Sequence, residues 1–254
     1  MLGLASLAFL GLLVLVHVVT PGLRFLDGTP RSIWLSLAGG VSVAYVFVHF
    51  MPELAASQEK VAEAVGGEGT LIPAERHVFL IALAGLLTFY GLHRLAQTSR
   101  SKRAGEQVNG GRGSHTEAAT SSRVFWIHMA SFAVYNLLVG YLLLHREEMT
   151  LDGLAFFAAA MALHFVVTDY GLHEDHKASY RQIGRWILAA AVIGGWLLGL
   201  VTEVHEAAIA TLTAFLGGGV VLNVLKEEVP SERQSRFWAF AAGAAGYAAL
   251  LLML

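Results

Sequence analysis

Two short stretches of this sequence concentrate side chains that bind metal ions or carry protons. The first contains His128, Ser131, Tyr135 and Asn136 at positions i, i+3, i+7 and i+8. This spacing places all four side chains on one face of an α-helix. Imidazole, hydroxyl and amide groups on one face can either ligate a cation or hydrogen-bond to a neighbouring helix.

The second stretch has the same kind of spacing and adds a carboxylate. His164 and Thr168 are separated by one helical turn, as are Asp169 and His173. His176 lies seven residues after Asp169, about two turns along the same face. Imidazole and carboxylate groups one turn apart are suitable ligands for a divalent metal such as zinc. Within this stretch His164 and Asp169 are the strongest candidates for a functional role, and His173, one turn after Asp169, borders the predicted cytoplasmic end. The alternative is that these groups hydrogen-bond between helices.

Both stretches lie in long apolar segments. Of the 254 residues, 56% are hydrophobic and 14% are charged, whereas average soluble domains are nearer a quarter charged. Apolar segments of about 20 residues match helices that cross a bilayer core, and the alternating pattern of a membrane β-barrel is not visible. The composition therefore predicts an all-α integral membrane protein. An ionisable group inside such a span is costly, which marks it as a functional candidate.

The apolar segments predict eight transmembrane helices in a single domain. They lie near Leu2–Thr20, Ser32–Met51, His77–Ala96, Phe125–Leu144, Leu151–Leu172, Trp186–Val201, Glu206–Leu225 and Phe237–Leu254. Of the 17 Lys and Arg residues, 14 lie in the connections after spans one, three, five and seven. Cytoplasmic loops carry the excess of basic residues. We therefore expect both termini to lie outside the membrane, which we take to be the cell (inner) membrane.

The connection over residues 97–124 is the longest on the predicted cytoplasmic side. It is rich in glycine and ends in a Thr/Ser run, and such a composition cannot bury enough apolar surface to order itself. We predict a flexible cytoplasmic loop. The net charge of −2 gives no indication of a nucleic-acid partner. No Lys or Arg precedes the first segment, so we expect it to be a retained span and not a cleaved signal.

Spans two and seven suggest an internal repeat. Gly39-Gly40-Val41 in span two is followed by Pro52, and Gly218-Gly219-Val220 in span seven is followed by Pro230. The two spans are predicted to run in opposite directions, as in the inverted repeats of many transporters. Spans one to three then match spans six to eight, leaving spans four and five as a central pair. The alternative is that glycine pairs and terminal prolines are simply common in membrane helices.

Further polar residues lie at the predicted ends of the spans. His49 and Glu53 end span two, and Glu203, His205 and Glu206 precede span seven. Together they could form an external acidic mouth that concentrates cations, or they could be ordinary outer-loop polarity.

Two histidines and two glycines complete the set of candidates. His17 and His93 lie near the cytoplasmic ends of spans one and three, where an interfacial histidine is tolerated. Gly243 and Gly246 give span eight a small-residue face, which favours close helix packing, within the chain or in a homodimer, without indicating a particular dimer.

The whole pattern resembles the ZIP family of divalent-metal transporters. The second span of that family commonly ends His-Leu-Leu-Pro-Glu, and here His49-Phe50-Met51-Pro52-Glu53 is similar. The resemblance implies an eight-helix, 3+2+3 inverted-repeat bundle with metal ligands in spans four and five. Asn136 and His164 match family ligand positions, whereas Tyr135, Val139 and Thr168 replace ligands and the helix-bending prolines are absent. The resemblance therefore implies a divalent-cation path with His164 and Asn136 as ligands, completed by Asp169, His128 and His173.

Three hypotheses for function follow. The first is a permease that carries a divalent cation, with zinc or a similar ion as its substrate, between spans two, four, five and seven toward the cytoplasm. It needs no organic cofactor and has no enzymatic activity. Its partners are the cation and the lipid bilayer. The second is a transport-deficient metal-binding or regulatory scaffold. The third is an intramembrane zinc hydrolase, for which no general base stands apart from the ligands.

Overall fold

The protein is described by a computed structural model that covers residues 2–26, 32–58, 76–107, 114–145, 150–228 and 236–253. All regular elements in these residues are helical. The described residues form eight main helices: α1 Leu2–Val19, α2 Ile33–Ala56, α3 His77–Gln107, α4 Ser114–Leu142, α5 Leu151–Ser179, α6 Arg185–Val201, α7 Glu206–Glu228 and α8 Phe237–Leu251. Each overlaps one of the predicted spans.

The helices are those of a membrane-embedded protein. Four described segments are long and apolar enough to cross a bilayer: Leu2–Gly22, Ile33–Ala56, Phe125–Leu142 and Leu151–Val201. Shorter apolar helices occur in α3, α7 and α8. Large apolar side chains remain exposed on the outer surface, such as Leu4 at 77% and Leu15 at 56%. These side chains have no favourable contact in water, whereas lipid tails would cover them.

The segment Leu151–Val201 consists of two antiparallel helices. Lys177 has φ of 36° and interrupts the helical path at the end of α5, and Tyr180–Gly184 form a π-helical turn before α6. Phe157 near the start of α5 and Glu203 just after α6 line the same cavity. The two helices therefore run in opposite directions.

Within the described parts of the chain, three helix pairs approach closely enough for backbone contact. Glycine occurs on both sides of each crossing, and a Cβ atom there would overlap a carbonyl oxygen of the partner helix. The crossings are Gly40 with Gly243 between α2 and α8, Gly85 with Gly218 between α3 and α7, and Gly140 with Gly195 between α4 and α6. Small residues allow this approach in membrane helices. Gly243 is thus used within the chain, whereas a Cβ at Gly246 would meet nothing within 4 Å. A homodimer stays a prediction.

Helix α2 widens before its proline. Residues Tyr45–Phe50 are π-helical and Met51–Ala56 return to α-helix. Pro52 has no N–H to donate and its ring crowds the preceding turn, so a wider turn relieves the clash. The widened turn carries two side chains, Tyr45 and Phe50, that line the cavity described below.

The predicted connection over 97–124 is helical at both ends. Helix α3 continues to Gln107 and α4 begins at Ser114, while residues 108–113 lie outside the described residues. The extensions contain Ala, Arg, Lys and Glu, which are favourable helix formers, and they prolong spans that are already helical. The flexibility of the connection stays a prediction. The predicted break between spans six and seven is observed, since Thr202 leaves the helix in an extended conformation.

Candidate functional site: an acidic cavity above a buried polar network

A cavity of about 410 Å³ lies between α2, α4, α5 and α7. The carboxylates of Glu53, Glu203 and Glu206 line it together with His145. These residues come from the last turns of α2, the end of α4 and the connection between α6 and α7. The two groups that the sequence placed at separate span ends therefore meet at one cavity mouth. Three carboxylates at one opening give it a negative potential that attracts cations.

His49 belongs to the same region through Glu53. Its Nε2 atom lies 3.6 Å from the Glu53 carboxylate, and both side chains are about one-third exposed. The Tyr45 ring lies 5.3 Å from the His49 ring and 6.5 Å from the ring of Phe157. The cavity walls below the mouth are thus largely aromatic and aliphatic, so a charged species would be drawn to the mouth more strongly than to the walls.

The floor of the cavity separates it from His164. The Tyr135 hydroxyl lies 3.3 Å from Met161 Sδ, and both residues line the cavity. On its other side the Tyr135 ring meets the His164 ring edge-on at 5.8 Å. His164 is only 3% exposed and its Nε2 lies 3.4 Å from Thr168 Oγ1. Tyr135 therefore covers the histidine that the sequence identified as a ligand.

A hydrogen-bonded triad joins three helices in the interior. His17 Nδ1 lies 2.8 Å from Asp169 Oδ2, and His17 Nε2 lies 2.8 Å from Asn136 Oδ1. The exposed fractions are 0% for His17, 0% for Asp169 and 2% for Asn136. The His17 ring also stacks on Phe165 at 4.5 Å. The triad thus connects α1, α4 and α5 with no access to water.

The positions of the protons follow from the Asn136 amide. Its Nδ2 donates to the Phe132 carbonyl at 2.8 Å, so Oδ1 is the atom that faces His17. An amide oxygen only accepts, and His17 Nε2 must therefore carry a hydrogen. A second proton is shared between His17 Nδ1 and Asp169 Oδ2. Wherever that proton lies along the bond, the ring and the carboxyl group together are neutral, which lowers the cost of burying them.

Tyr180 is a further polar neighbour of the triad. Its hydroxyl and Asp169 Oδ1 are both buried, and neither makes a hydrogen bond of ordinary length. Tyr180 nevertheless interacts with the Asp169 carboxylate through its hydroxyl and lies close to the charge of Arg185, and Arg185 Nη1 donates to the Val18 carbonyl at 3.2 Å. Because buried polar atoms without good hydrogen bonds are rare and costly in native proteins, the Asp169–Tyr180 contact is a candidate for rearrangement when a ligand binds.

The predicted ligand residues are distributed over two neighbouring places. Asn136 and Asp169 meet at His17, while His164 lies beyond Phe165, whose ring is 6.4 Å from that of His164. His173 follows one turn after Asp169, and its Nδ1 is buried without a hydrogen-bond partner. Among the described residues, no three His, Asp or Glu side chains form a group that could hold a metal ion. The side chain of His128 lies outside the part of the chain whose side chains are described.

His17 was assigned to the cytoplasmic end of span one as an interfacial residue, and the structure corrects this. The ring is fully buried and forms the centre of the triad. A signal for it exists in the sequence. Ser6, His17 and Thr20 are the polar residues of the first span, and all three are buried on one face together with Leu10 and Leu13. Polar residues at helical spacing in a span indicate its inward face.

Comparison with known proteins gives no relative from which a role could be transferred: no family model, no curated protein and no solved structure matches this chain.

Proposed function

We propose that this protein is a ZIP-like membrane permease whose substrate is a divalent metal cation, zinc or a similar ion. The observation that carries the proposal is the cavity itself. It lies between α2, α4, α5 and α7, the four helices expected to line the path, and three carboxylates surround its mouth. Predicted ligands lie directly beneath its floor.

The proposal includes eight membrane spans with both termini outside. Four tryptophans support it: Trp34, Trp126, Trp186 and Trp238 stand within the first turns of the apolar parts of α2, α4, α6 and α8, and they are 51–63% exposed. Tryptophan is enriched at membrane–water interfaces. A row of tryptophans at one end of these four helices fits a single interface, beside connections that are rich in Lys and Arg. That end would be cytoplasmic, and the cavity would open to the outside.

The proposal also includes the inverted repeat. Gly40 contacts the carbonyl of Phe240 and Gly243 that of Leu37, and in the same way Gly218 contacts the carbonyl of Ala82 and Gly85 that of Phe215. If span two corresponds to span seven and span three to span eight, the contacts between α2 and α8 correspond to those between α7 and α3. These contacts favour pairing Gly40 with Gly218, one residue away from the Gly-Gly-Val alignment of the sequence. Pro52 and Pro230 are separated by the same number of residues as Gly40 and Gly218, so this alignment also pairs the two prolines.

A cation would travel from the mouth toward the cytoplasm in two stages. It would first collect at Glu53, Glu203 and Glu206, and would then pass Tyr135 and Met161 to reach His164. Since the floor is closed while the mouth is open, the structure fits an outward-facing state of an alternating-access cycle. Asn136 and Asp169 would receive the ion after His164, and His128 and His173 would lie on the way out.

Uptake into proteoliposomes tests the proposal. We expect the purified chain to accumulate at least one of Zn²⁺, Fe²⁺, Mn²⁺ and Cd²⁺ above protein-free vesicles. His164→Ala should abolish uptake because it removes the first imidazole beneath the floor, whereas His115→Ala, in the extension of α4, should transport normally. Absence of flux with all four ions would reject the proposal.

Neutralising the mouth should change apparent affinity and not maximal rate. In Glu53→Gln/Glu203→Gln we expect the KM for the cation to rise about tenfold at low salt, because a charged cleft concentrates ions of opposite sign. The difference should shrink as added salt screens the carboxylates. The control is Glu174→Gln/Asp175→Asn, which removes two exposed charges from the opposite end of the bundle. An equal rise of KM in both variants would contradict a role for the mouth.

A second candidate function is a metal-binding or regulatory scaffold without transport. The observation in its favour is that Tyr135 and Val139 occupy family ligand positions and give the floor an aromatic and aliphatic surface. Titration of the detergent-solubilised protein with Zn²⁺ separates the two functions when combined with uptake. Stoichiometric binding without flux would favour the scaffold.

A further inference from the structure

The place between Asn136 and Asp169 has the chemistry of a cation site. It offers a carboxylate and an amide oxygen, both of which are ligands for hard divalent cations. Both oxygens contact the His17 ring from opposite sides: Asp169 Oδ2 lies 2.8 Å from Nδ1 and Asn136 Oδ1 lies 2.8 Å from Nε2. The ring is fully buried and presents an N–H to the amide oxygen and shares a proton with the carboxylate. The ring hydrogens therefore lie in front of the two oxygens, where a metal ion would lie if these oxygens were its ligands.

The surroundings are not those of a simple structural contact. A polar contact that serves only to hold helices together would be expected to satisfy its buried atoms. His17 uses one oxygen of the Asp169 carboxylate, Oδ2. The other oxygen, Oδ1, is buried and makes no hydrogen bond of ordinary length, and the buried Tyr180 hydroxyl is a polar neighbour of the same carboxylate. A cation at this place could therefore be bound by Oδ1 as well as by Oδ2 if the Tyr180 hydroxyl turns aside.

His17 also reaches this place from a helix outside the path. The cavity is lined by α2, α4, α5 and α7, whereas His17 belongs to α1, which contacts α5 and α6. A side chain from a neighbouring helix can withdraw without unfolding the helices that carry Asn136 and Asp169. The side chain that fills the site, His17, can therefore move independently of Asn136 and Asp169, which form the site.

We infer that His17 is a tethered substitute for the transported cation, which fills the site of Asn136 and Asp169 while the cavity is open at the mouth and must leave before an ion binds there. The inference rests on the proposed function. It identifies a second binding site of the path, for a hard divalent cation, together with the side chain that blocks it. Competition between His17 and the ion would keep the deep site empty until an ion has passed Tyr135.

Removal of the ring tests the inference on the full chain in detergent. The probe is Mn²⁺, whose free concentration is read from its electron paramagnetic resonance signal. We expect His17→Ala to bind an additional Mn²⁺ ion per chain relative to the wild type, and His17→Ala/Asp169→Asn to lose it again. Leu13→Ala is the matched control, because Leu13 is fully buried one turn earlier on the same helix and its truncation makes space without exposing a carboxylate.

A second variant keeps the test decisive if the alanine variant fails to fold. His17→Gln keeps a polar side chain of moderate size, and its amide oxygen can join Asn136 Oδ1 and the Asp169 carboxylate as a ligand, so its melting temperature should rise with Mn²⁺ more than that of Leu13→Ala. Folded His17 variants that bind no more Mn²⁺ than Leu13→Ala would overturn the inference. If the wild type transports a cation but His17→Ala binds no additional Mn²⁺, the role of His17 is rejected and the transport function stands. If His17→Ala binds an additional Mn²⁺ but the wild type shows no uptake, the blocked cation site stands and the transport function is rejected.

Discussion

Replacing His17 with leucine is expected to lower the free energy of unfolding by about 3–5 kcal/mol, the usual cost of removing one member of a buried ion pair. Leucine has a similar volume, so packing against Phe165 is largely kept. The loss comes from Asp169, which is 0% exposed and would lose its 2.8 Å contact with His17, leaving the Tyr180 hydroxyl as its polar neighbour. Asn136 Oδ1 would lose its partner as well.

The measurement is a double-mutant cycle of unfolding in mixed micelles. The four proteins are the wild type, His17→Leu, Asp169→Leu and His17→Leu/Asp169→Leu. Because the double variant contains no unpaired carboxylate, we expect it to be more stable than His17→Leu by about 2 kcal/mol or more. Additive effects of the two substitutions would show that the 2.8 Å contact does not couple the residues in the folded protein.

Adding one methyl group at Gly243 is expected to destabilise the bundle by about 2 kcal/mol, within the range for overpacking a well-packed site. A Cβ atom there would overlap the Leu37 carbonyl oxygen. The obstacle is backbone, so no side-chain rotation can relieve it, and α2 must move away from α8. Because α2 carries Tyr45 and Phe50, the cavity wall would shift with it.

Gly246→Ala provides the control within the same helix. A Cβ at Gly246 meets nothing within 4 Å, and alanine is the better helix former by about 1 kcal/mol in a helix interior. We therefore expect Gly246→Ala to be neutral or slightly stabilising while Gly243→Ala destabilises. Unfolding in sodium dodecyl sulfate titrations distinguishes the two, and equal stability of both variants would contradict the close crossing of α2 and α8.

The proposed transport and the stability of the bundle would depend on overlapping residues. Asn136 and Asp169 hold α4, α5 and α1 together through His17, and the same oxygens are the proposed deep cation ligands. If His17 withdraws, the protein loses a stabilising contact at the moment when an ion can replace it. An ion that restores two oxygen contacts would compensate for the lost pair, which couples occupancy of the site to the arrangement of the three helices.

The helices themselves could be predicted because bilayer thickness determines the length of an apolar segment. Helices α6 and α7 start and end close to the predicted bounds, and Thr202 marks the short break between them. The extensions of α3 to Gln107 and of α4 from Ser114 were not predicted. Beyond the hydrocarbon core both helices and loops are polar, so the polarity of the sequence does not show where a helix ends.

Two residues of spans four and five that the structure brings to one place could be named from the sequence. Asp169 was predicted because an ionisable group in a span is costly and Asn136 because it matches a family ligand position, and both contact His17. The meeting of Glu53 and Glu203 at one mouth depended on the packing of α2 beside the connection of α6 and α7, which lie far apart in the chain.

The shared partner of Asn136 and Asp169, His17, could not be read from the sequence. Apart from Ser6, His17 and Thr20, the first span is apolar on every face, so these three polar side chains are the signal for its inward face. They do not reveal which helices that face meets, and only the packing of α1 against α5 places His17 between Asn136 and Asp169. In a bilayer both faces of a helix can be apolar, so the partners of a helix depend on contacts between helices and not on the pattern along one of them.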